Sequence, residues 1–114
     1  MKTEEAESQL KKLREEIDVI DEQILLLLIK RLGIASHVGR IKSCLNYPIF
    51  DAERERELLR RLKGIAKEKV TDVQPSMEEL TDALVDEMVE GVFSKILSLS
   101  RCVQEKKISE GAHR

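Results

Sequence analysis

Residues 10–41 read LKKLREEIDVIDEQILLLLIKRLGIASHVGRI, and this stretch decides the fold. Its aliphatic residues recur at alternating steps of three and four, the spacing that places side chains on one face of an α-helix. These positions are Leu10, Leu13, Ile17, Ile20, Ile24, Leu27, Ile34, Val38 and Ile41. The pattern predicts a helix over about residues 6–45, which at about 1.5 Å per residue is roughly 60 Å long.

A helix of this length does not fit inside one small domain. A compact chain of 114 residues has a radius of gyration near ~13 Å, which corresponds to a diameter of about 35 Å. The predicted helix would extend beyond such a body with its apolar face exposed to water. Another chain must cover that face, so the sequence predicts a homodimer.

Two prolines, Pro48 and Pro75, separate the long helix from two further helical segments. The second helix is expected to begin at Asp51 as its N-cap, and the third at Ser76, where Ser76–Glu79 has the pattern of a capping box. The apolar stripe of the second helix contains Leu58, Leu59, Leu62, Ile65 and Ala66. The third helix carries two adjacent stripes. One contains Leu80, Leu84, Met88, Val92, Ile96, Leu99 and Val103, and the other contains Val85, Val89, Phe93, Ser100 and Gln104. The predicted fold class is all-α, with three helices per chain and a polar tail over about residues 108–114.

The composition argues against several classes of function. Twenty basic and 22 acidic residues give a net charge of −2, without the positive surplus that a nucleic-acid-binding surface needs. Two cysteines and two histidines are too few for a disulfide framework and make a zinc site improbable. The N-terminal segment is rich in charges, and the apolar run Ile24–Ile29 is far shorter than the ~20 residues of a membrane span. We therefore expect a single cytoplasmic domain without a metal.

Polar side chains interrupt the apolar stripes at a few positions, where function is best sought. Arg31 takes a position in the first stripe, and Lys42 follows eleven residues later on nearly the same face. Glu55 stands at the N-terminal end of the second stripe, while Ser100 and Gln104 continue a stripe of the third helix.

Each of these residues also has a purely structural explanation. Arg31 could extend its charge to solvent or pair with an acidic residue across a dimer. Lys42 could interact with the dipole at a helix end. The charged run over residues 51–57 could be a solvated helix face, and Ser100 and Gln104 could mark where the stripe ends.

The order of these residues resembles a known family. Residues 13–21, LREEIDVID, are similar to the opening LRxxIDxID of the all-helical class of chorismate mutases. The resemblance continues through LLLLIKR at 25–31 and VGRIK at 38–42, and resumes with PIFDAERE at 48–55, like the family's PxxDxxRE. Ser100 and Gln104 have the spacing of the family's third helix, whereas residues 64–92 depart from its pattern.

The resemblance implies an isomerase that converts chorismate to prephenate in phenylalanine and tyrosine biosynthesis. The reaction is an intramolecular Claisen rearrangement that requires no cofactor and no metal. By position, Arg31 resembles a carboxylate clamp, and Arg14 resembles the clamp that reaches the partner chain's site. Lys42 and Gln104 resemble the donors on either side of the ether oxygen. The remaining implied contacts are Glu55 with the ring hydroxyl, Asp51 and Arg54 at the edge of the pocket, and Ser100 with a ring carboxylate.

Two other functions stay open from the sequence. An isochorismate–pyruvate lyase would share the fold and the carboxylate clamp, although a carboxylate at Glu55 suits the 4-hydroxyl of chorismate better. A non-catalytic helical dimerisation or regulatory module would not explain why five residues of the family pattern occur together, namely Arg14, Arg31, Lys42, Arg54 and Glu55. We expect a stand-alone mutase, with a prephenate dehydratase or dehydrogenase as a candidate downstream partner.

Overall fold

Three helices make up the chain. The computed structural model describes residues 1–74 and 77–112, with side chains through residue 106. Helix α1 covers Thr3–Leu45, α2 covers Ala52–Val73 and α3 covers Asp82–Ala112, and no strand occurs among the described residues. This confirms the all-α prediction with a long first helix. Within the same described ranges, none of the helices combines the length and the apolarity needed to cross a membrane.

Helix α1 begins slightly before its predicted start and ends where predicted, at Leu45. Asn46 takes a left-handed conformation with φ of 57°. The Tyr47 N–H then donates to the Lys42 carbonyl at 2.9 Å, and the Asn46 N–H donates to the Ser43 carbonyl at 3.3 Å. This pair of bonds is a Schellman motif, which satisfies the last carbonyls of the helix. Pro48 follows and prevents continuation of the helix.

Helix α2 begins at the predicted cap. The Asp51 carboxylate accepts a hydrogen bond from the Arg54 backbone N–H at 3.0 Å, and its carbonyl accepts from the Glu55 N–H at 3.0 Å. The side chain thereby satisfies a donor that the first turn leaves without an intrahelical partner. The Asp51 N-cap prediction is confirmed.

The predicted start of the third helix is wrong. Ser76 lies outside the described residues, but α3 begins at Asp82, several residues after the expected capping box. Residues 77–81 form turns instead, in which Leu80 N–H donates to the Met77 carbonyl at 3.4 Å. The cap is supplied by Thr81, whose hydroxyl accepts from the Leu84 N–H at 3.2 Å. In these turns the N–H groups of Leu80 and Thr81 bond to the Met77 and Glu79 carbonyls. A helix that began at Ser76 would have needed the same N–H groups for its own first hydrogen bonds.

The chain divides into two compact parts, Met1–Ile34 and Ala35–Arg114. In the first part, α1 exposes its apolar stripe, and the exposed fraction reaches 65% at Leu27. Leu13, Ile17, Ile20 and Ile24 are each exposed by half or more. The regular spacing of these residues therefore forms an apolar surface on α1 that the first part of the chain does not bury.

In the second part, α3 packs against α2. The core contains Ala35, Leu58, Val85, Val89, Ile96 and Leu97. The predicted stripe of α3 that begins with Val85 is buried at Val85, Val89, Ser100 and Gln104, whereas the other stripe is buried only at Ile96 among the described residues. Leu84, Met88 and Val92 of the other stripe remain exposed. Ion pairs between Lys63 and Glu90 and between Lys67 and Asp86 join α2 to α3 beside this core.

Candidate active site

Lys42 and Gln104 meet at the centre of the candidate site. Lys42 lies in the last turn of α1, and Gln104 is a buried polar residue of α3, 62 positions later. The Lys42 Nζ donates to the Gln104 Oε1 at 3.2 Å and to the Ile49 carbonyl at 2.7 Å. The backbone before α2 and the side chain from α3 thus fix the ammonium group between them.

The hydrogen-bonding capacity of this pair is only partly used. A lysine ammonium has three N–H donors, and two of them point to Ile49 and Gln104. Because the amide oxygen of Gln104 faces the ammonium, its amide NH₂ group faces elsewhere and remains a donor. The site therefore retains one ammonium N–H and one amide NH₂ group as donors that these contacts do not use.

Gly39 allows α1 and α3 to approach closely at this point. A Cβ atom at residue 39 would lie 2.9 Å from the Gln104 Cα and 3.1 Å from its Cβ. The first of these is a backbone atom, which cannot move away by rotating a side chain. Gly39 is buried, one turn before Lys42 on the same helix. Its missing side chain therefore helps to set the distance between Lys42 and Gln104.

Glu55 is held by a residue that sequence reasoning did not identify. Arg101 Nη1 donates to both carboxylate oxygens of Glu55, at 2.5 and 2.6 Å. The Arg101 guanidinium carbon also lies 5.3 Å from the centre of the Phe50 ring, within cation–π range. The available signal was an arginine next to Ser100 and three residues before Gln104, on a part of α3 expected to face the site.

Three other predicted residues lie in the second part of the chain. Ser100 is buried, and its hydroxyl donates to the Ile96 carbonyl at 2.9 Å. Asp51 uses a carboxylate oxygen for the helix cap, and the Arg54 side chain is exposed. Asp51 and Arg54 lie one turn or less before Glu55 at the start of α2.

The remaining two predicted residues, Arg14 and Arg31, belong to the Met1–Ile34 part. Arg14 is exposed on α1, whereas Arg31 is half-buried. In the structure, Lys42 contacts Gln104 of α3 directly, and Glu55 contacts α3 through Arg101.

A surface depression on the second part has a different character from the Lys42–Gln104 pair. It is formed by α2 and α3, and its lining residues include Arg56, Arg60, Lys63, Lys67 and Glu90. Five basic and five acidic side chains line it, so it offers no surplus of positive charge to an anion. Neither Lys42 nor Gln104 lines it. Two predicted site residues, Asp51 and Arg54, line the depression, but the Lys42–Gln104 pair does not.

Comparisons with known proteins agree with the resemblance read from the motifs. The sequence matches the family described as chorismate mutase type II over residues 13–105. The bifunctional chorismate mutase/prephenate dehydratase of Aquifex aeolicus is 43% identical over 100 residues, which cover 88% of this chain and 25% of that protein. The chorismate mutase of Methanocaldococcus jannaschii is 39% identical over 64 residues, covering 56% of this chain and 65% of that protein. This chain thus spans about a quarter of the length of the Aquifex relative.

A solved structure supports the same conclusion about the fold. A conserved hypothetical protein from Pyrococcus furiosus superimposes with a TM-score of 0.59 and is 43% identical, covering 84% of this chain and 95% of its own. The family match extends from the first motif of α1 to the residue after Gln104. The chain belongs to the chorismate mutase type II family.

Proposed function

We propose that this chain catalyses the rearrangement of chorismate to prephenate. The observation that carries the proposal is the hydrogen bond between Lys42 Nζ and Gln104 Oε1, 3.2 Å long, within a chain of the chorismate mutase type II family. It brings an ammonium group from α1 together with an amide group from α3.

The reaction needs this kind of site. The substrate is a dicarboxylate, and breaking its C–O bond places partial negative charge on the ether oxygen. Donors that are already oriented toward that oxygen stabilise the transition state more than the ground state. The third N–H of Lys42 and the amide NH₂ of Gln104 suit this role. The Ile49 carbonyl and the packing at Gly39 hold both groups in place before substrate arrives.

The other residues serve to hold the substrate in its reactive conformation. Arg31 and Arg14 bind carboxylates, for which the planar guanidinium fork is well suited. Glu55 accepts a hydrogen bond from the ring hydroxyl. Asp51 and Arg54 complete the pocket at the start of α2. Ser100 contacts a ring carboxylate after its hydroxyl turns away from the Ile96 carbonyl. Holding the enolpyruvyl arm over the ring lowers the entropic part of the barrier.

The active form is a homodimer. A monomer ordinarily leaves little contiguous apolar surface in contact with water. This chain exposes the apolar stripe of α1 and, on α3, Leu84, Met88 and Val92. Covering this surface with a second copy gives each site an Arg14 from the partner chain. A dehydratase or dehydrogenase that consumes prephenate acts downstream. In the Aquifex relative, as its name states, the mutase and a prephenate dehydratase share one protein.

The test is a direct assay with a matched pair of variants. Purified protein is mixed with chorismate, loss of its ultraviolet absorbance is followed, and the product is identified as phenylpyruvate after acid treatment. Lys42→Ala should lower kcat/KM by about 100-fold or more, since loss of one transition-state donor has that effect. Lys95→Ala, at an exposed position of α3, removes the same charge and should leave activity unchanged.

Two outcomes would contradict the proposal. A Lys42→Ala variant within about twofold of wild type would show that Lys42 is not the central donor. Release of pyruvate from isochorismate, with no prephenate formed from chorismate, would identify the lyase reaction instead.

A further inference from the structure

We propose that Arg101 is a positioning residue, which fixes the Glu55 carboxylate for the substrate hydroxyl and compensates its charge. The inference rests on the proposed mutase function and adds a residue that the family motifs do not include. Arg101 lies on α3, three residues before Gln104, and therefore on the same turn that supplies the amide donor.

The geometry fixes the Arg101 guanidinium from two directions. Its Nη1 donates to both oxygens of Glu55, at 2.5 and 2.6 Å. One face of the group lies over the Phe50 ring, with 5.3 Å between the guanidinium carbon and the ring centre. Phe50 immediately precedes the Asp51 cap of α2. Arg101 thus connects α3 to the beginning of α2, where Glu55 is located.

Glu55 keeps the ability to accept a further hydrogen bond. An ionised carboxylate has about four lone-pair sites on its two oxygens. The contacts with Arg101 use one site on each oxygen, which leaves one on each for a hydroxyl donor. The pairing also limits rotation of the carboxylate, because both oxygens are held by the same nitrogen.

The charge of Glu55 is otherwise unfavourable in a site for a dianion. The Glu55 side chain is only 20% exposed, so water screens its charge incompletely. Arg101 offsets this negative charge at contact distance. Without it, the carboxylate that recognises the hydroxyl would also repel the two carboxylates of the substrate.

Arg101 could instead bind a substrate carboxylate itself, with Glu55 as a temporary partner. The contacts favour the positioning role. Both carboxylate oxygens of Glu55 and the ring of Phe50 already hold the guanidinium, and a clamp would have to give up the Glu55 contacts. The two roles predict different results when Glu55 has lost its charge. A positioning residue then has little left to do, whereas a residue that binds a substrate carboxylate remains necessary.

A double-mutant cycle separates them. The change Arg101→Gln is made in the wild-type and in the Glu55→Gln background, and kcat and KM for chorismate are measured in all four proteins. In the wild-type background we expect kcat/KM to fall roughly 10- to 100-fold, the range typical for residues in direct contact. In the Glu55→Gln background, the same change should alter kcat/KM by less than about threefold. Lys95→Gln, which removes one exposed charge from the same helix, is the control and should not change activity.

Each outcome of the cycle decides the question. Equal losses in both backgrounds would overturn the inference, because Arg101 would then act on the substrate or on the fold without Glu55. If Arg101→Gln fails to fold by circular dichroism, Arg101→Met, which keeps the length of the apolar stem but removes the charge and the donors, is used in the same cycle with the same criteria. If wild-type protein does not convert chorismate, the proposed function fails, and the inference with it. If wild type is active and the losses are additive, only the inference about Arg101 fails.

Discussion

Gly39→Ala gives a sharp test of how the helices position the candidate site. The added methyl group would lie 2.9 Å from the Gln104 Cα, a distance that real Cβ atoms essentially never show, and 3.1 Å from its Cβ, which is also a tight contact. Because the nearest atom belongs to the backbone, α1 or α3 must shift to admit it. That shift would lengthen the 3.2 Å contact between Lys42 and Gln104.

Two opposing contributions set the expected change in stability. Alanine favours a helix interior over glycine by about 1 kcal/mol. Overpacking a close contact costs about 1–3 kcal/mol. The net expectation is a loss of about 1 kcal/mol, with the two contributions taken at the middle of their ranges.

Gly64→Ala provides the matched control. Gly64 lies in the interior of α2, and a Cβ atom there would meet nothing within 4 Å. Only the helix-propensity gain applies, so this variant should become more stable by about 1 kcal/mol. The difference between the two variants, about 2 kcal/mol, isolates the cost of overpacking at Gly39.

Urea unfolding and chorismate turnover measure the two consequences. We expect Gly39→Ala to remain folded at low urea while kcat/KM falls by about 100-fold, since a displacement near 1 Å has that effect on an oriented site. Gly64→Ala should retain wild-type turnover. Equal stabilisation of both variants, or full activity of Gly39→Ala, would refute the role assigned to this contact.

Further predictions concern the donors, the helix cap and the surface charges. The Gln104 amide does not titrate, so residue 104 should cause no loss of wild-type activity between mildly acidic and neutral pH. Gln104→Glu should introduce such a decline in a pH–rate profile, because its carboxylate would neutralise Lys42 and repel the ether oxygen as it ionises; a flat profile for this variant would contradict the assignment. Asp51→Ala should lower the free energy of unfolding by about 1 kcal/mol in urea titrations, because the Arg54 N–H loses its capping acceptor; no change would argue against the cap. The hydrogen bond to the Glu90 carboxylate raises the pKa of Lys63 above its ordinary value of 10.5. The pair therefore stabilises the fold below that value and stops doing so as pH rises through the raised pKa. The difference in Tm between wild type and Lys63→Gln should shrink over that range, and a difference that grows would show the opposite sign.

Much of the fold follows from local patterns. The three- and four-residue spacing of α1 predicted a long helix, and the structure has one from Thr3 to Leu45. Asp51 was identifiable as a cap because its hydrogen bond reaches only three residues along the chain. The start of α3 was predicted wrongly, because Ser76–Glu79 and Thr81 both offer capping patterns in the same short segment. Turn bonds between residues 74 and 81 decided between them.

The candidate site was less predictable than the helices. Motif spacing identified Lys42, Glu55 and Gln104 as residues of interest. It did not indicate Arg101, whose partner Glu55 is 46 positions away on another helix. The residues next to Arg101 in the sequence give no sign of whether its side chain is fully solvated or paired with a carboxylate on another helix.

The sequence by itself determined that the chain forms three helices, where α1 ends and α2 begins, and that α1 carries an apolar stripe. These properties depend on interactions within one or two helical turns, which the order of residues specifies directly. Only the tertiary structure decided which of two adjacent stripes of α3 packs on α2, and hence that Gln104 meets Lys42 at 3.2 Å. The stripes lie about 100° apart around one helix, so choosing between them depends on the rotation of α3 against its neighbours. That rotation is set by packing between segments that are distant in the sequence, including the close approach of Gln104 to Gly39, which has no side chain.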